Sequence, residues 1–148
     1  MATVNAYLTF DGNCEEAFNF YKTIFGGDFS MVSKFGDMPP QEGMPPISEE
    51  LKNRIMHMTL PLSAETVLLG SDTMPAMHEH TVGNNISLSI NTDSREEADR
   101  IFNALSAGGK ITMPLEDTFW GAYFGMFTDQ FGINWLVNYD DPEKVQVH

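Results

Sequence analysis

The amino-acid sequence predicts an α+β fold built from two tandem βαβββ modules. Three observations predict it: two amphipathic helices of one pattern, a constant spacing between them, and strand-like alternation around each. From Asn13 to Phe25 the apolar residues Cys14, Ala17, Phe18, Tyr21, Ile24 and Phe25 recur at the i, i+3, i+4, i+7 spacing of a helix with one buried side. Asn13 is placed to cap its start with Glu16 as the capping-box partner, and Gly26 and Gly27 supply residues that tolerate positive φ where it stops. The pattern returns with Ser94 as cap, Glu97 as box partner, a stripe of Ala98, Ile101, Phe102 and Leu105, and an end at Gly108 and Gly109. Equivalent positions lie 81 apart (94 − 13, 97 − 16, 98 − 17, 102 − 21). That period is beyond the roughly 20–50-residue units of solenoid arrays, so each copy is expected to be half of one domain, with modules of about residues 3–72 and 84–139.

Each helix follows a strand candidate. In Asn5 to Phe10, Ala6, Leu8 and Phe10 alternate with Asn5, Tyr7 and Thr9; in Asn85 to Asn91, Ile86, Leu88 and Ile90 alternate with Asn85, Ser87, Ser89 and Asn91. If the apolar faces receive the helices, the polar faces look the other way. Further strands are predicted at Phe29 to Phe35, Arg54 to Leu60 and Thr66 to Asp72, then at Lys110 to Leu115, Tyr123 to Thr128 and Ile133 to Tyr139. Two connections exceed ordinary length and read as lids or linkers: Gly36 to Asn53, with Pro39, Pro40, Pro45 and Pro46, and Thr73 to Asn84, with Pro75, His78 and His80.

Composition narrows the function classes. With 148 residues the chain suits one domain with a sizeable core. Eight basic against 21 acidic residues give a formal net charge of −13, which repels phosphate backbones and anionic lipid surfaces, so neither nucleic acid nor membrane is an expected partner. The single Cys14 allows no intramolecular disulfide and fits a reducing compartment; no run approaches the roughly 20 apolar residues of a membrane span. The expected location is cytoplasmic.

The paired βαβββ units, the helix "EEAFNFYKTIFGG" (Glu15 to Gly27) and the closing "FWGAYFGMFTDQFGINWLVN" (Phe119 to Asn138) resemble the glyoxalase, bleomycin-resistance and extradiol-dioxygenase superfamily, the vicinal oxygen chelate proteins, in its PhnB-like branch. The resemblance implies eight strands in two curved mixed sheets around a cavity, and a homodimer. Enzymes of that superfamily hold a divalent metal with His, Gln or Glu from the first and last strand of each module, positions that carry over to Asn5, Leu69, Asn85 and Leu136. Leucine has no lone pair to donate, and an asparagine amide is a hard oxygen ligand suited to calcium. No metal and no cofactor is therefore expected at that place. Some relatives carry ubiquinone methyltransferase names, but the glycine-rich strand-to-helix loop that S-adenosylmethionine needs is missing, since the Gly-Gly pairs here follow helices.

Among the residues that could do chemistry, His57 in "RIMHMTL" alternates with Met56, Met58 and Leu60 and shares a parity with Ile55 and Thr59. It is the candidate catalytic residue, a proton-exchanging group facing the cavity; the other reading is a neutral histidine satisfied by a neighbouring strand or a dimer contact. The candidate ligand-binding residues are Tyr7, Ser71, Asn85, Trp120, Tyr123 and Asn138, a set of mostly neutral hydrogen-bonding groups with two aromatics flanking Gly121. His78 and His80 could face one side of an extended segment but show no third ligand, and His148 ends the chain. Asp72, at a strand end, reads first as a turn-closing carboxylate bonding amides two residues on. Cys14 lies in the apolar stripe and reads as a small hydrophobe. The expected function is binding of a small polar or aromatic molecule without the metal. The alternatives are a metal-dependent lyase, isomerase or dioxygenase using His57 and the loop histidines, or a structural dimer without ligand.

Overall fold

Both predicted helices form, each of twelve residues, in a computed structural model that describes residues 2–39, 43, 47–74 and 79–143. They are α1 (Cys14–Phe25) and α3 (Arg95–Ser106), so their starts and their ends keep the same offset of 81 (95 − 14, 106 − 25). The chain divides into two units, Met1–Thr81 and Val82–His148. The first holds β1 (Ala6–Phe10), α1, β2 (Met31–Lys34), a short α2 (Glu49–Asn53), β3 (Ile55–Pro61) and β4 (Val67–Asp72). The second holds β5 (Leu88–Asn91), α3, β6 (Lys110–Asp117), β7 (Ala122–Thr128) and β8 (Asn134–Asp140).

Each unit has one four-stranded mixed sheet, in the order β1-β4-β3-β2 and β5-β8-β7-β6. First and last strands pair in parallel, and the remaining pairs are antiparallel. The two sheets thus repeat one topology, as tandem modules require.

The helix stripes bury against the apolar faces of their own sheets. In the first unit Ala17, Phe18 and Tyr21 are fully buried together with Leu60, and Phe10 meets Phe18 edge to face at 6.2 Å. In the second, Phe102 meets Phe127 at 5.1 Å and 85°. Close approach of helix to sheet depends on one glycine per unit. A Cβ at Gly70 would stand 2.6 Å from the Phe18 ring, and one at Gly125 would stand 2.7 Å from the Phe102 ring.

Four expectations change. Asn13 makes no side-chain cap bond; the Cys14 amide is accepted instead by Asp72, 58 residues on. Ser94 does cap, accepting from the Glu97 amide at 3.1 Å. Ile55 does not share the face of His57, because the β2–β3 register passes from Ser33↔His57 to Lys34↔Ile55 and leaves Met56 as an extra residue. Ile55 is consequently buried with Met58 and Leu60. The second module's first strand begins only at Leu88, so Asn85, Ile86 and Ser87 precede it, and Asn5 likewise precedes β1. The first long connection contains α2, whose cap Ser48 accepts from the Leu51 amide. Pro40, Pro45, Pro46, Pro75, His78 and His148 lie outside the described residues. Among the described residues no helix is long and apolar enough to cross a membrane.

Candidate functional site

Strand alternation sends Leu8, Phe10, Leu68 and Gly70 towards α1, and therefore turns Tyr7, Thr9, Leu69 and Ser71 to the open face of the first sheet. The pairing register sets Tyr7, Leu69, Thr59 and Met31 side by side across all four strands. His57 stands one step along β3 on that face. Its Nδ1 lies 3.3 Å from the Tyr7 hydroxyl and its Nε2 lies 3.0 Å from Thr59 Oγ1, with the Tyr7 and His57 rings 5.7 Å apart. A neutral imidazole donates from one nitrogen and accepts at the other. Of the two hydroxyls, the one that accepts from the ring therefore keeps its own O–H to donate outwards. Protonation of His57 would make both ring nitrogens donors and free both O–H groups. The chain Tyr7–His57–Thr59 can thus hold a proton and aim one or two hydroxyl donors outwards from a face whose neighbouring strand positions are Thr9, Leu69 and Ser71.

The place of a superfamily metal does not fit these residues. Leu69 occupies the row between Tyr7 and Thr59, where a ligand would stand, and Leu136 occupies the corresponding face of β8. Neither has a donor atom. Asn5 and Asn85 are exposed and outside the strands. Among the described residues no three His, Cys, Asp or Glu side chains are placed to share an ion. An S-adenosylmethionine loop does not fit either, because only Asp11, Gly12 and Asn13 join β1 to α1, and the amides of Gly12 and Cys14 both donate to Asp72 at 2.9 Å.

Asp72 and Arg54 fasten the end of this face. Asp72, 5% exposed, also accepts from the Ile55 amide at 2.8 Å, so it holds backbone amides as expected, but 17 to 60 residues away instead of in its own turn. Arg54 donates to Asp11 at 2.9 Å and to the Thr73 carbonyl at 3.0 Å. The Arg54 guanidinium holds the Asp11 carboxyl below the usual range. Reading the sequence overlooked Arg54, whose only signal is an isolated arginine ahead of an apolar strand. Burial, and then the Asp72 charge, push the Cys14 thiol well up, in keeping with its role as an inert hydrophobe.

In the second unit Asn138 lies on the open face of β8, donating to Asn91 Oδ1 at 3.2 Å and to Asp140 Oδ1 at 3.1 Å. Trp120, 41% exposed, sits in the β6–β7 connection 6.3 Å from Phe124. Asn85 adjoins an open cleft of about 420 Å³ lined by Val82, Gly83, Asn84, Thr128, Gly132 and Asn134. Tyr123 points to the α3 side of its sheet. Its hydroxyl donates to Asp99 and its ring lies 4.0 Å under the Arg95 guanidinium, which also bonds Asp117 at 2.7 Å. The bond to Asp99, with burial second, raises the Tyr123 phenol above its ordinary value. Stability from this bond is full below the ordinary tyrosine value near 10 and is lost as pH rises through the folded value. Tyr123→Phe is accordingly expected to flatten the alkaline fall in unfolding midpoint, measured by urea titration from pH 8 to 11; an unchanged profile would contradict this.

Residues 2–138 match the family model described as 3-demethylubiquinone-9 3-methyltransferase. Protein YjdN of Escherichia coli (strain K12) is 31% identical over 148 residues, covering 97% of this chain and 99% of that one. The crystal structure of protein PA1353 from Pseudomonas aeruginosa shares 41% identity at a TM-score of 0.82, covering 95% and 98% of the two chains. The PhnB protein from Bacillus cereus shares 26% at 0.73, covering 93% and 99%. A glyoxylase/bleomycin resistance protein/dioxygenase domain from Frankia sp. EAN1pec, 12% identical at a TM-score of 0.66 and covering 96% and 93%, shares the fold alone.

Proposed function

Since the chain belongs to the 3-demethylubiquinone-9 3-methyltransferase family, a PhnB-like group with the glyoxalase fold, we propose that it binds a small polar or aromatic molecule without the metal usual in that superfamily. The observation that carries this reading is Leu69 standing in the metal-ligand row beside the hydrogen-bonded chain Tyr7–His57–Thr59. A leucine offers a bound molecule apolar contact, while the flanking hydroxyls and imidazole offer oriented hydrogen bonds. His57 is the group that takes or gives a proton there, and Tyr7 and Ser71 are the contacts beside it. The family's descriptive name is not adopted as the activity, because the β1–α1 turn has its amides committed to Asp72.

The test uses protein purified without chelator or tag metal. Elemental analysis is expected to find no stoichiometric zinc, nickel, iron or manganese, and a thermal-shift screen of small polar aromatics is expected to give hits that survive a chelator. His57→Ala should weaken those hits about tenfold, as loss of one hydrogen bond to a bound ligand does, with circular dichroism unchanged. Stoichiometric metal that disappears in His57→Ala, or hits indifferent to that variant, would overturn the reading. The partner implied by the superfamily is a second copy of this chain in the cytoplasm. Light scattering is expected to give twice the 16.6 kDa of one chain; a mass of one chain would remove the dimer.

A further inference from the structure

The second sheet carries on its open face a group of side chains that the first-sheet reading does not use. The registers place Asn91, Asn138, Phe124 and Glu116 side by side across β5, β8, β7 and β6. Asp140 follows two residues after Asn138 on the same face of β8 and is bonded to it. Trp120 packs near Phe124 at 6.3 Å, and its neighbour Phe119, 94% exposed, meets it edge to face at 5.0 Å. Phe119 and Trp120 thus leave two adjoining apolar rings open beside this face.

The hydrogen-bonding capacity of the patch points one way. Both donors of the Asn138 amide are committed, one to Asn91 and one to Asp140, so its carbonyl oxygen is the atom left to face a ligand. The carboxylates of Glu116 and Asp140 also accept only. Beside these acceptors lie the rings of Phe124 and Trp120, whose faces attract positive charge. The basic residues of this unit among those described are elsewhere. Arg95 is held by Asp117 and Tyr123 on the α3 side, Arg100 is on α3, and Lys110 pairs with Thr128 at the far end of β6.

We infer that this patch binds a small organic cation, an ammonium group joined to an apolar body. The ammonium donates to Asn138 Oδ1 and to the carboxylate of Asp140, the apolar body lies on Phe124 and Trp120, and Glu116, one strand beyond Phe124, adds negative charge at the edge of the patch. The inference concerns a different unit from the Tyr7–His57–Thr59 chain and stands or falls separately from it.

The test titrates the full chain at neutral pH with benzylamine, which is protonated there, and with benzyl alcohol, its uncharged counterpart of nearly equal size. Tryptophan fluorescence and the Asn138 side-chain amide signal in NMR report binding. Benzylamine is expected to give a saturable change and benzyl alcohol to bind about tenfold more weakly, the scale of a cation–π contact joined to a charge-assisted hydrogen bond. The double variant Glu116→Gln, Asp140→Asn should lose most of that preference with the fold intact by circular dichroism. Trp120→Leu should weaken benzylamine in the NMR titration. Absence of saturable benzylamine binding, equal affinity for amine and alcohol, or a preference that survives the double variant overturns the proposal.

Discussion

Asp72→Ala is expected to lower the free energy of unfolding by about 4 kcal/mol, because it strips the acceptor from three backbone amides at once. Gly12, Cys14 and Ile55 all donate to this carboxylate, at 2.9, 2.9 and 2.8 Å, and Asp72 is only 5% exposed. Each buried amide left unpaired costs on the order of 1–3 kcal/mol, with the partly buried Gly12 at the low end because water can reach it. The effect extends beyond the local bonds. Asp72 ties the β1–α1 turn at the first residue of α1 and fixes the start of β3, the strand that carries His57. Asp72→Asn separates shape from chemistry. It keeps an oxygen for Gly12 and Cys14 but turns an N–H towards Ile55, so about half the loss is expected. Urea denaturation decides; a loss under about 1 kcal/mol for the alanine variant would show that these bonds are readily replaced by water.

Asp129→Ala is expected to cost about 3 kcal/mol in the second unit by the same logic. Asp129 is 3% exposed and accepts from the amides of Phe131 and Ile133, at 2.8 and 3.0 Å, and from the indole Nε1 of Trp135 at 2.8 Å. It therefore shapes the β7–β8 turn and anchors the largest buried side chain of the core. Trp135→Phe leaves the two amide bonds in place and is expected to cost about 2 kcal/mol, from the lost hydrogen bond and the small cavity left behind. In a double-mutant cycle the pair should couple by about 1 kcal/mol. Strict additivity would mean that the indole–carboxylate bond contributes nothing net.

The parts of the fold that were legible in the sequence are those written in local periodicity. The apolar stripe of α1 and that of α3 each lie with their glycine end in one short stretch of chain, the second copy repeats the first at a constant offset, and the strands alternate on a period of two. The parts that were not legible depend on residues distant in the chain. Asn13 is a good cap by type, yet its side chain makes no cap bond, and β4, returning beside β1, brings the Asp72 carboxylate to the amides of Gly12 and Cys14 instead. The bulge at Met56 carries no sequence mark and reverses the face of Ile55 while leaving His57 and Thr59 on the open side. Tyr123 and Trp120 are three positions apart and look alike as aromatic neighbours of Gly121. Only the strand register shows that one is bonded to α3 and the other lies beside Phe124. Asp129 stands in an ordinary turn sequence three residues before Gly132, and its bond to Trp135 lies six positions on.

Two of the four edge strands, β2 and β6, have a consequence for behaviour at high concentration. An unbroken edge with exposed apolar side chains is a template on which strands from other molecules can stack, and Met31, Val32 and Ile111 are all more than 40% exposed. Yet β2 is four residues long with a register shift between Ser33 and Lys34, and β6 shifts twice, between Ile111 and Met113 and between Met113 and Glu116. Pro114 lies inside the second of these shifts and has no N–H to offer. A ladder begun on either edge is interrupted within a few residues, and a net charge of −13 keeps neighbouring molecules apart. Irregularities that look like flaws in the pairing therefore keep the apolar side chains of these edges from seeding fibrils.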